Sequence, residues 1–334
     1  MRRSDIAVLL INTGTPDNPS AGAVRRYLKD FLKDPRIVEM PRAFWLPILY
    51  GVVLPFRPAK SAARYASIWT SEGSPLDVHM KALEAGLQER LGGREPRLLV
   101  RRAMCYSAPR LDEQIDRAVR DGVEQMLLLP LFPQYSPQTV GSVMDAAARY
   151  CLGRRNPPAV RTVKRFYNRP GWARAVAAQV RALWREKGPL PGPSGRLLLS
   201  FHGIPLECVE EKGDSYRREC EESAALIVRE LGLADGAWEV SFQSRFGPHE
   251  WLRPYTFERL RALGGEGVNR VDVVCPSFVT DCLETCEEIN IEGRAVFQSG
   301  YPGGSFNYVP CINESEEALS FYASLIAEEL KGWI

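Results

Sequence analysis

Residues 273–289 read VVCPSFVTDCLETCEEI, and the interpretation of the whole chain starts from this stretch. An apolar, β-branched run breaks at Pro276, and a Thr-Asp pair then precedes good helix formers, so the pattern predicts strand, turn and helix. At about 100° per residue, Asp281, Glu284 and Glu288 fall on one helical face. Such carboxylates can hold a divalent metal or accept protons, although acidic first turns are also common in ordinary N-capped helices. The stretch by itself favours the ordinary helix, so a functional site needs support from elsewhere in the chain.

The composition is that of a globular protein. The chain has 334 residues, 45% of them hydrophobic and 25% charged, and its net charge of +2 gives no reason to expect nucleic-acid binding. At roughly 150 residues per domain, this length suits two domains or one large α/β unit. No stretch reaches the ~18 apolar residues that span a bilayer, and residues 1–11 lack the features of a secretory signal. We therefore expect a cytoplasmic protein whose eight cysteines are reduced thiols or metal ligands.

Strand and helix patterns alternate along the chain, which predicts an α/β fold with mostly parallel sheets. Strands are predicted at 6–12, 98–104, 126–129, 196–201, 238–244 and 269–274, and helices at 21–32, 111–120, 142–151, 170–187, 215–231, 256–262 and 315–331.

The run GPLPGPSG at 188–195 is the clearest linker. We expect an N-terminal lobe at 1–150, a connecting helix and linker at 151–195, and a C-terminal lobe at 196–334. The third strand of each half ends in Pro-x-Phe, which is a weak internal repeat. The repeat favours two similar α/β lobes.

The segment at 40–56, MPRAFWLPILYGVVLPF, is unusually apolar. Its three prolines make a single long helix unexpected, because proline removes a helical hydrogen bond. Two interpretations stay open: a segment that packs into the core, or a hydrophobic lip that covers a cleft or contacts a membrane surface.

His202 follows the fourth predicted strand, and in open parallel sheets ligands bind beyond the carboxyl ends of strands. A lone histidine is often structural, but a neutral imidazole at that position could bind a metal or take a proton. No Gly-rich phosphate loop follows a strand and no G-x-S-x-G elbow is present, which disfavours nucleotide binding and acyl hydrolysis. The residues alone therefore predict a cleft that joins His202 to an acidic helix between aromatic walls, suited to a divalent metal and a large apolar ligand.

Short motifs along nearly the whole chain resemble those of the ferrochelatase family, in the same order. They are LLINTGTP at 9–16, FRPAK at 56–60, GSPL at 73–76, PQYS at 133–136, FHGIP at 201–205, KGD at 212–214, FQSRFG at 242–247, WL at 251–252 and DCLET at 281–285.

The resemblance implies a lyase that inserts ferrous iron into protoporphyrin IX to form protohaem, the terminal step of haem biosynthesis, with no required cofactor. It implies two Rossmann-like lobes that flank a porphyrin cleft. His202 resembles the active-site histidine, Glu284 its partner carboxylate and second metal ligand, and Glu288 the next acid on a proton or metal path. The residues that resemble porphyrin contacts are Tyr65, Ser74, Tyr106, Trp251 and Phe278.

Two positions depart from the family pattern. Cys105 stands where an arginine often contacts a porphyrin carboxylate, which leaves propionate recognition there open. Cys282 stands where some relatives have histidine and other bacterial members have cysteine. Some members also carry a [2Fe-2S] cluster, and the internal cysteines that could form one are Cys151, Cys275, Cys282 and Cys286, although their spacing matches no known ligand pattern.

Alternatives remain within and outside this class. A cobalt or sirohaem-type chelatase would bind a more heavily carboxylated ring, which the apolar stretch from Phe44 to Phe56 disfavours. A porphyrin carrier would need no paired histidine and carboxylates. We expect a porphyrin and ferrous iron as partners, no nucleic acid, and a peripheral membrane contact as an option; the residues do not distinguish protoporphyrin from coproporphyrin.

Overall fold

A computed structural model describes residues 5–93, 95, 97–247 and 249–334. The chain forms two compact units. Unit 1 contains the residues up to Lys164 together with Leu319–Ile334, and unit 2 contains Arg165–Ala318. Residues 1–4, which belong to the segment inspected for a secretory signal, lie outside the described part.

Unit 1 contains a parallel four-stranded sheet. Its strands are β1 (Ile6–Asn12), β2 (Leu98–Met104), β3 (Gln125–Pro130) and β4 (Ala159–Thr162), in the order β2-β1-β3-β4. β1 is buried along its whole length, which explains its uninterrupted apolar sequence. Three of these strands were predicted, whereas β4 was missed because it is short and half exposed.

The helices of unit 1 include all of those predicted there. They are α1 (Ala21–Leu32), α2 (Arg42–Ile48), α3 (Leu54–Ile68), α4 (Pro75–Gly92), α5 (Leu111–Arg120) and α6 (Ser142–Leu152). The apolar segment is helical from Arg42 onward, because a π-helical turn at Leu49–Val53 joins α2 to α3. The expectation that its prolines would prevent a long helix was wrong. Pro41 lies at the N-cap, where it removes no helical hydrogen bond, whereas Pro47 lies inside α2 and Pro55 lies within the continuous helical run.

Unit 2 repeats the sheet of unit 1, which confirms the internal repeat. Its strands are β5 (Gly195–His202), β6 (Trp238–Gln243), β7 (Arg270–Val274) and β8 (Ser305–Tyr308), all parallel and in the order β6-β5-β7-β8. In both units the first strand along the sequence therefore lies between the second and the third. The predicted α/β fold with two similar parallel sheets is confirmed.

The helices of unit 2 are α7 (Pro170–Lys187), α8 (Leu206–Glu210), α9 (Tyr216–Leu231), α10 (Thr256–Gly265), α11 (Arg294–Gly300) and the start of α12 (Glu316–Glu329). The acidic stretch differs from its prediction. It forms a π-helix at Glu284–Gly293 that runs into α11, and Asp281 precedes that helix instead of opening it. Because π-helical hydrogen bonds run from i to i+5, four residues fall just short of one turn, and Glu284 and Glu288 still lie near one face.

The unit boundaries differ from the lobes expected from the sequence. Helix α7, assigned to the connecting segment 151–195, packs against α9 within unit 2 through its buried face of Trp172, Val176 and Val180. The last residues of the chain return to unit 1, where the Arg161 guanidinium donates to the carbonyl oxygens of Glu329 (2.7 Å) and Lys331 (3.0 Å). In the described residues, no helix is long and apolar enough to cross a membrane.

Candidate active site

His202 is the last residue of β5, and hydrogen bonds hold its backbone on both sides. Its N–H donates to Ser277 Oγ at 2.9 Å, and its carbonyl oxygen accepts from the Tyr216 hydroxyl at 2.9 Å. These partners lie on the turn after β7 and at the start of α9. The half-buried imidazole is therefore presented from a rigid frame at the carboxyl edge of the sheet.

The surroundings of the imidazole select one tautomer. Nδ1 lies 2.6 Å from the carbonyl oxygen of Gly203, and because that oxygen can only accept, Nδ1 carries the proton. Nε2 of the neutral ring then keeps its lone pair for a metal ion or a proton. The rings of Phe278 and Trp251 lie 6.1 Å and 6.5 Å from the imidazole, centre to centre, and give it an apolar border.

Glu288 is held by Ser244, the residue that follows β6. The backbone N–H of Ser244 donates to Glu288 Oε1 at 2.6 Å, and its hydroxyl donates to Oε2 at 2.7 Å. Ser244 adopts the left-handed conformation with φ of 66°, which is unusual for a residue with a side chain and is often found at functional sites.

Burial raises the pKa of Glu288, and its neighbours alter that effect. The hydrogen bonds from Ser244 lower this pKa, as would a positive charge on His202, whereas the charge of Glu284 raises it. Glu288 is therefore within electrostatic range of both His202 and Glu284. All three residues belong to unit 2, and their assignment to one catalytic site stays a prediction.

Asp281 has a different position from the one expected. It is only 8% exposed, and its carboxylate accepts hydrogen bonds from Asn313 Nδ2 (2.8 Å), the backbone N–H of Cys311 (3.2 Å) and the Tyr308 hydroxyl. Its own N–H donates to Asn313 Oδ1 at 2.8 Å. Asp281 therefore anchors the segment after β8 to the start of the acidic π-helix and does not extend the row of Glu284 and Glu288.

The residues that resemble porphyrin contacts fall in both units. Phe278 and Trp251 border His202 in unit 2. In unit 1, the Tyr106 hydroxyl donates to Asp34 Oδ2 at 2.8 Å and Tyr65 packs edge-on against Trp69.

Ser74 caps α4. Its hydroxyl accepts from the N–H of Asp77 at 3.3 Å, and its side chain is buried. A role in the substrate pocket stays a prediction for these residues of unit 1.

The cysteines considered for an iron–sulfur cluster lie in separate elements. Cys151 belongs to α6, Cys275 and Cys282 follow β7, and Cys286 belongs to the π-helix. Burial raises the pKa of the Cys275 and Cys282 thiols well above the usual value and that of Cys286 to about 12, so these thiols are neutral when no metal is bound. Among the described residues, no three His, Cys, Asp or Glu side chains are arranged to hold a metal ion.

Sequence reasoning missed two residues that shape the site, Gln243 and Ser244. The Gln243 amide donates to the carbonyl oxygen of Glu284 at 2.9 Å, one residue before Ser244 holds Glu288. The available signal was their place at a strand end, since FQSRFG follows β6 at the same sheet edge as His202.

Comparisons with known proteins identify the family of this chain. A family model described as Ferrochelatase matches residues 5–330. The chain is 47% identical to a ferrochelatase of Chromobacterium violaceum over 327 residues, which is 98% of this chain and 88% of the relative. It is 46% identical to a ferrochelatase of Methylibium petroleiphilum over 328 residues, again 98% and 88% of the two chains.

Among solved structures, the sirohydrochlorin chelatase SirB of Bacillus subtilis subspecies spizizenii in complex with cobalt is similar in fold. Its TM-score is 0.55 at 11% identity, over 97% of this chain and 95% of that one. SirB from Bacillus subtilis with Fe3+ also gives a TM-score of 0.55, at 14% identity over 78% and 93% of the two chains. At these identities the likeness concerns the fold alone.

Proposed function

Because the chain belongs to the ferrochelatase family, we propose that it inserts ferrous iron into protoporphyrin IX to form protohaem, the last step of haem biosynthesis. The reaction replaces two pyrrole protons by one Fe²⁺, so the site must accept protons and pass a divalent metal. The observation that carries the proposal is the His202 imidazole, whose Nδ1 lies 2.6 Å from the Gly203 carbonyl oxygen while Nε2 keeps its lone pair, with Glu288 within electrostatic range.

Each group at the site has a role that its chemistry supports. His202 Nε2 accepts a pyrrole proton or ligates the iron, and Glu284 acts with it as the second ligand or proton acceptor. Glu288, held by Ser244, takes the proton or the metal further along the π-helix. Trp251 and Phe278, which border the imidazole, supply apolar contacts that grip a flat aromatic ring.

The apolar segment supports a weakly acidic ring and a membrane contact. The side chains of Phe44, Val52 and Phe56 are 70%, 57% and 76% exposed on the helical segment 42–68. Such a surface suits a porphyrin with few carboxylates more than the heavily carboxylated rings of sirohaem-type chelatases. We also propose that the enzyme is cytoplasmic and contacts the membrane surface through these side chains, because an apolar ring partitions into lipid and would be taken up there.

A zinc-insertion assay followed by porphyrin fluorescence tests the proposal, with iron insertion as confirmation. We expect the wild type to metallate protoporphyrin and both His202→Ala and Glu284→Gln to lose at least about a hundredfold in rate, the usual effect of removing a proton-transfer group. His249→Ala, which changes an exposed histidine, serves as the matched control.

The outcomes separate the alternatives. A wild-type protein that binds porphyrin without turnover would be a carrier, and one that metallates only more carboxylated rings would be a sirohaem-type chelatase. Wild-type rates in both variants would refute the roles given to His202 and Glu284.

A further inference from the structure

A chain of buried hydroxyl groups lies behind the site and ends on the Gln243 side chain. Ser241 and Thr256 share a hydrogen bond of 2.9 Å, Thr256 and Ser200 share one of 2.8 Å, and Ser200 lies 2.8 Å from Gln243 Oε1. All four side chains are at most 3% exposed. Buried polar groups are expensive unless each has a partner, so this network specifies one arrangement.

The direction of every hydrogen bond in the network follows from the acceptor at its end, the Glu284 carbonyl oxygen. The Glu284 carbonyl can only accept, so the Gln243 Nε2 amide group faces it, at 2.9 Å. Gln243 Oε1 must then accept from the Ser200 hydroxyl, and Ser200 in turn accepts from Thr256. The Glu284 carbonyl thus selects the amide orientation, and the hydrogen bond from Ser200 holds the Gln243 side chain in that position.

Gln243 also reaches the histidine side of the site through its backbone. It lies opposite His202 in the β5–β6 register, and its carbonyl oxygen accepts from the N–H of Gly203 at 2.8 Å. Gly203 is the residue whose own carbonyl fixes the His202 ring. One buried residue thus contacts both Gly203, whose carbonyl orients the imidazole, and Glu284, the first residue of the acidic π-helix.

We propose that Gln243 is a positioning residue of the metal-insertion site. Its side-chain amide, held by Ser200, donates to the Glu284 carbonyl oxygen and thereby determines the position of the Glu284 carboxylate. The inference rests on the proposed function. It predicts that loss of the amide moves Glu284 away from its working position while the apolar porphyrin contacts stay in place. Because a lost hydrogen bond of ordinary strength corresponds to roughly a tenfold change, the expected loss of kcat is about tenfold.

The test uses Gln243→Met, which keeps the side-chain length but removes the amide, and Ser200→Ala, which removes only the group that orients it. Ser223→Ala is the control, because Ser223 is a buried residue of the same unit whose hydroxyl has no hydrogen-bond partner among the described residues. We expect Gln243→Met to lose about tenfold in kcat for zinc insertion, Ser200→Ala to lose about threefold, and the control to be unchanged. The KM for porphyrin should stay within about twofold in all three.

A second measurement separates positioning from general destabilisation. Hydrogen exchange of the amides in 284–293 should speed up in Gln243→Met and Ser200→Ala but not in Ser223→Ala. A folded Gln243→Met with wild-type kcat would overturn the inference, and so would unchanged exchange in that helix. If Gln243→Met does not fold, Ser200→Ala decides by the same two criteria. A wild type that metallates no porphyrin would refute the proposed function instead, and the exchange result would still judge the anchoring.

Discussion

Removal of the Ser244 hydroxyl should shift the pH dependence of metal insertion upward. This hydroxyl donates to Glu288 Oε2 at 2.7 Å and so favours the ionised carboxylate, which lowers the pKa of Glu288. A hydrogen bond to a charged group contributes about 1.5–3 kcal/mol, and about 1.4 kcal/mol corresponds to one pKa unit. Ser244→Ala should therefore raise the pKa of Glu288, and the lower end of this range corresponds to a displacement of about one pH unit.

The sign of the change in activity follows from the proposed role of Glu288 as a proton acceptor. Only the ionised carboxylate can accept a proton, so the rate falls as the pH drops through its pKa. In Ser244→Ala the acid limb of the zinc-insertion profile should move about one pH unit higher, while rates on the plateau above it stay comparable. Ser299→Ala, which removes an exposed hydroxyl from α11, should leave the limb in place.

A second substitution separates the charge effect from backbone strain. The φ of 66° at Ser244 costs a residue with a Cβ about 1–2 kcal/mol, and glycine avoids this cost. Ser244→Gly should therefore unfold a few degrees higher than Ser244→Ala but show the same shifted acid limb. An acid limb that does not move in either variant would refute the link between Ser244, Glu288 and turnover.

Three further substitutions test the packing around the site and the chain end. Gly203→Ala should lower both the melting temperature and the zinc-insertion rate, because its Cβ would lie 2.8 Å from a backbone oxygen of the neighbouring strand. Gly51→Ala, with open space at that position, should change neither. Equal effects of the two substitutions would contradict the packing argument. In a denaturant titration, Arg161→Met should lose about 2 kcal/mol of unfolding free energy, because two hydrogen bonds to carbonyl oxygens near the chain end disappear. The substitution of the exposed Arg155 by Met should lose little in the same titration. Asp281→Ala should lose about 2–4 kcal/mol of unfolding free energy in the same titration, since it leaves several buried donors without an acceptor. A stable but inactive variant would instead indicate that Asp281 takes a direct part in the chemistry.

Much of the fold could be predicted from local patterns. The strands β1 and β2 and the helices α1, α5 and α7 have the bounds expected from the sequence, because their hydrophobic periods and end signals are contained within each segment. The repeated Pro-x-Phe ending of the third strand likewise anticipated two similar α/β units, although it did not predict their strand order.

The candidate site was predictable only in part. His202 was marked by its place at a strand end, and the acidic residues by their spacing, since both signals lie within a few residues of sequence. The π-helix was not predicted, because the change from i+4 to i+5 hydrogen bonding leaves the composition of the segment unaltered. Asp281 was grouped with the wrong partners for a similar reason: the groups that bind it lie about 30 residues further along the chain.

The sequence by itself determined the alternation of strands and helices, the family, and which imidazole and carboxylates are proposed for the chemistry. Tertiary structure alone decided which nitrogen of His202 carries no proton and which serine binds Glu288. It also decided that Asp281 anchors the fold and does not belong to the proposed site. The physical reason is the separation along the chain over which each interaction acts. Periodicity and capping act between neighbours along the chain, whereas the hydrogen bonds from Gln243 and Ser244 join residues 41 and 44 positions apart, and only the packed sheet brings them within reach.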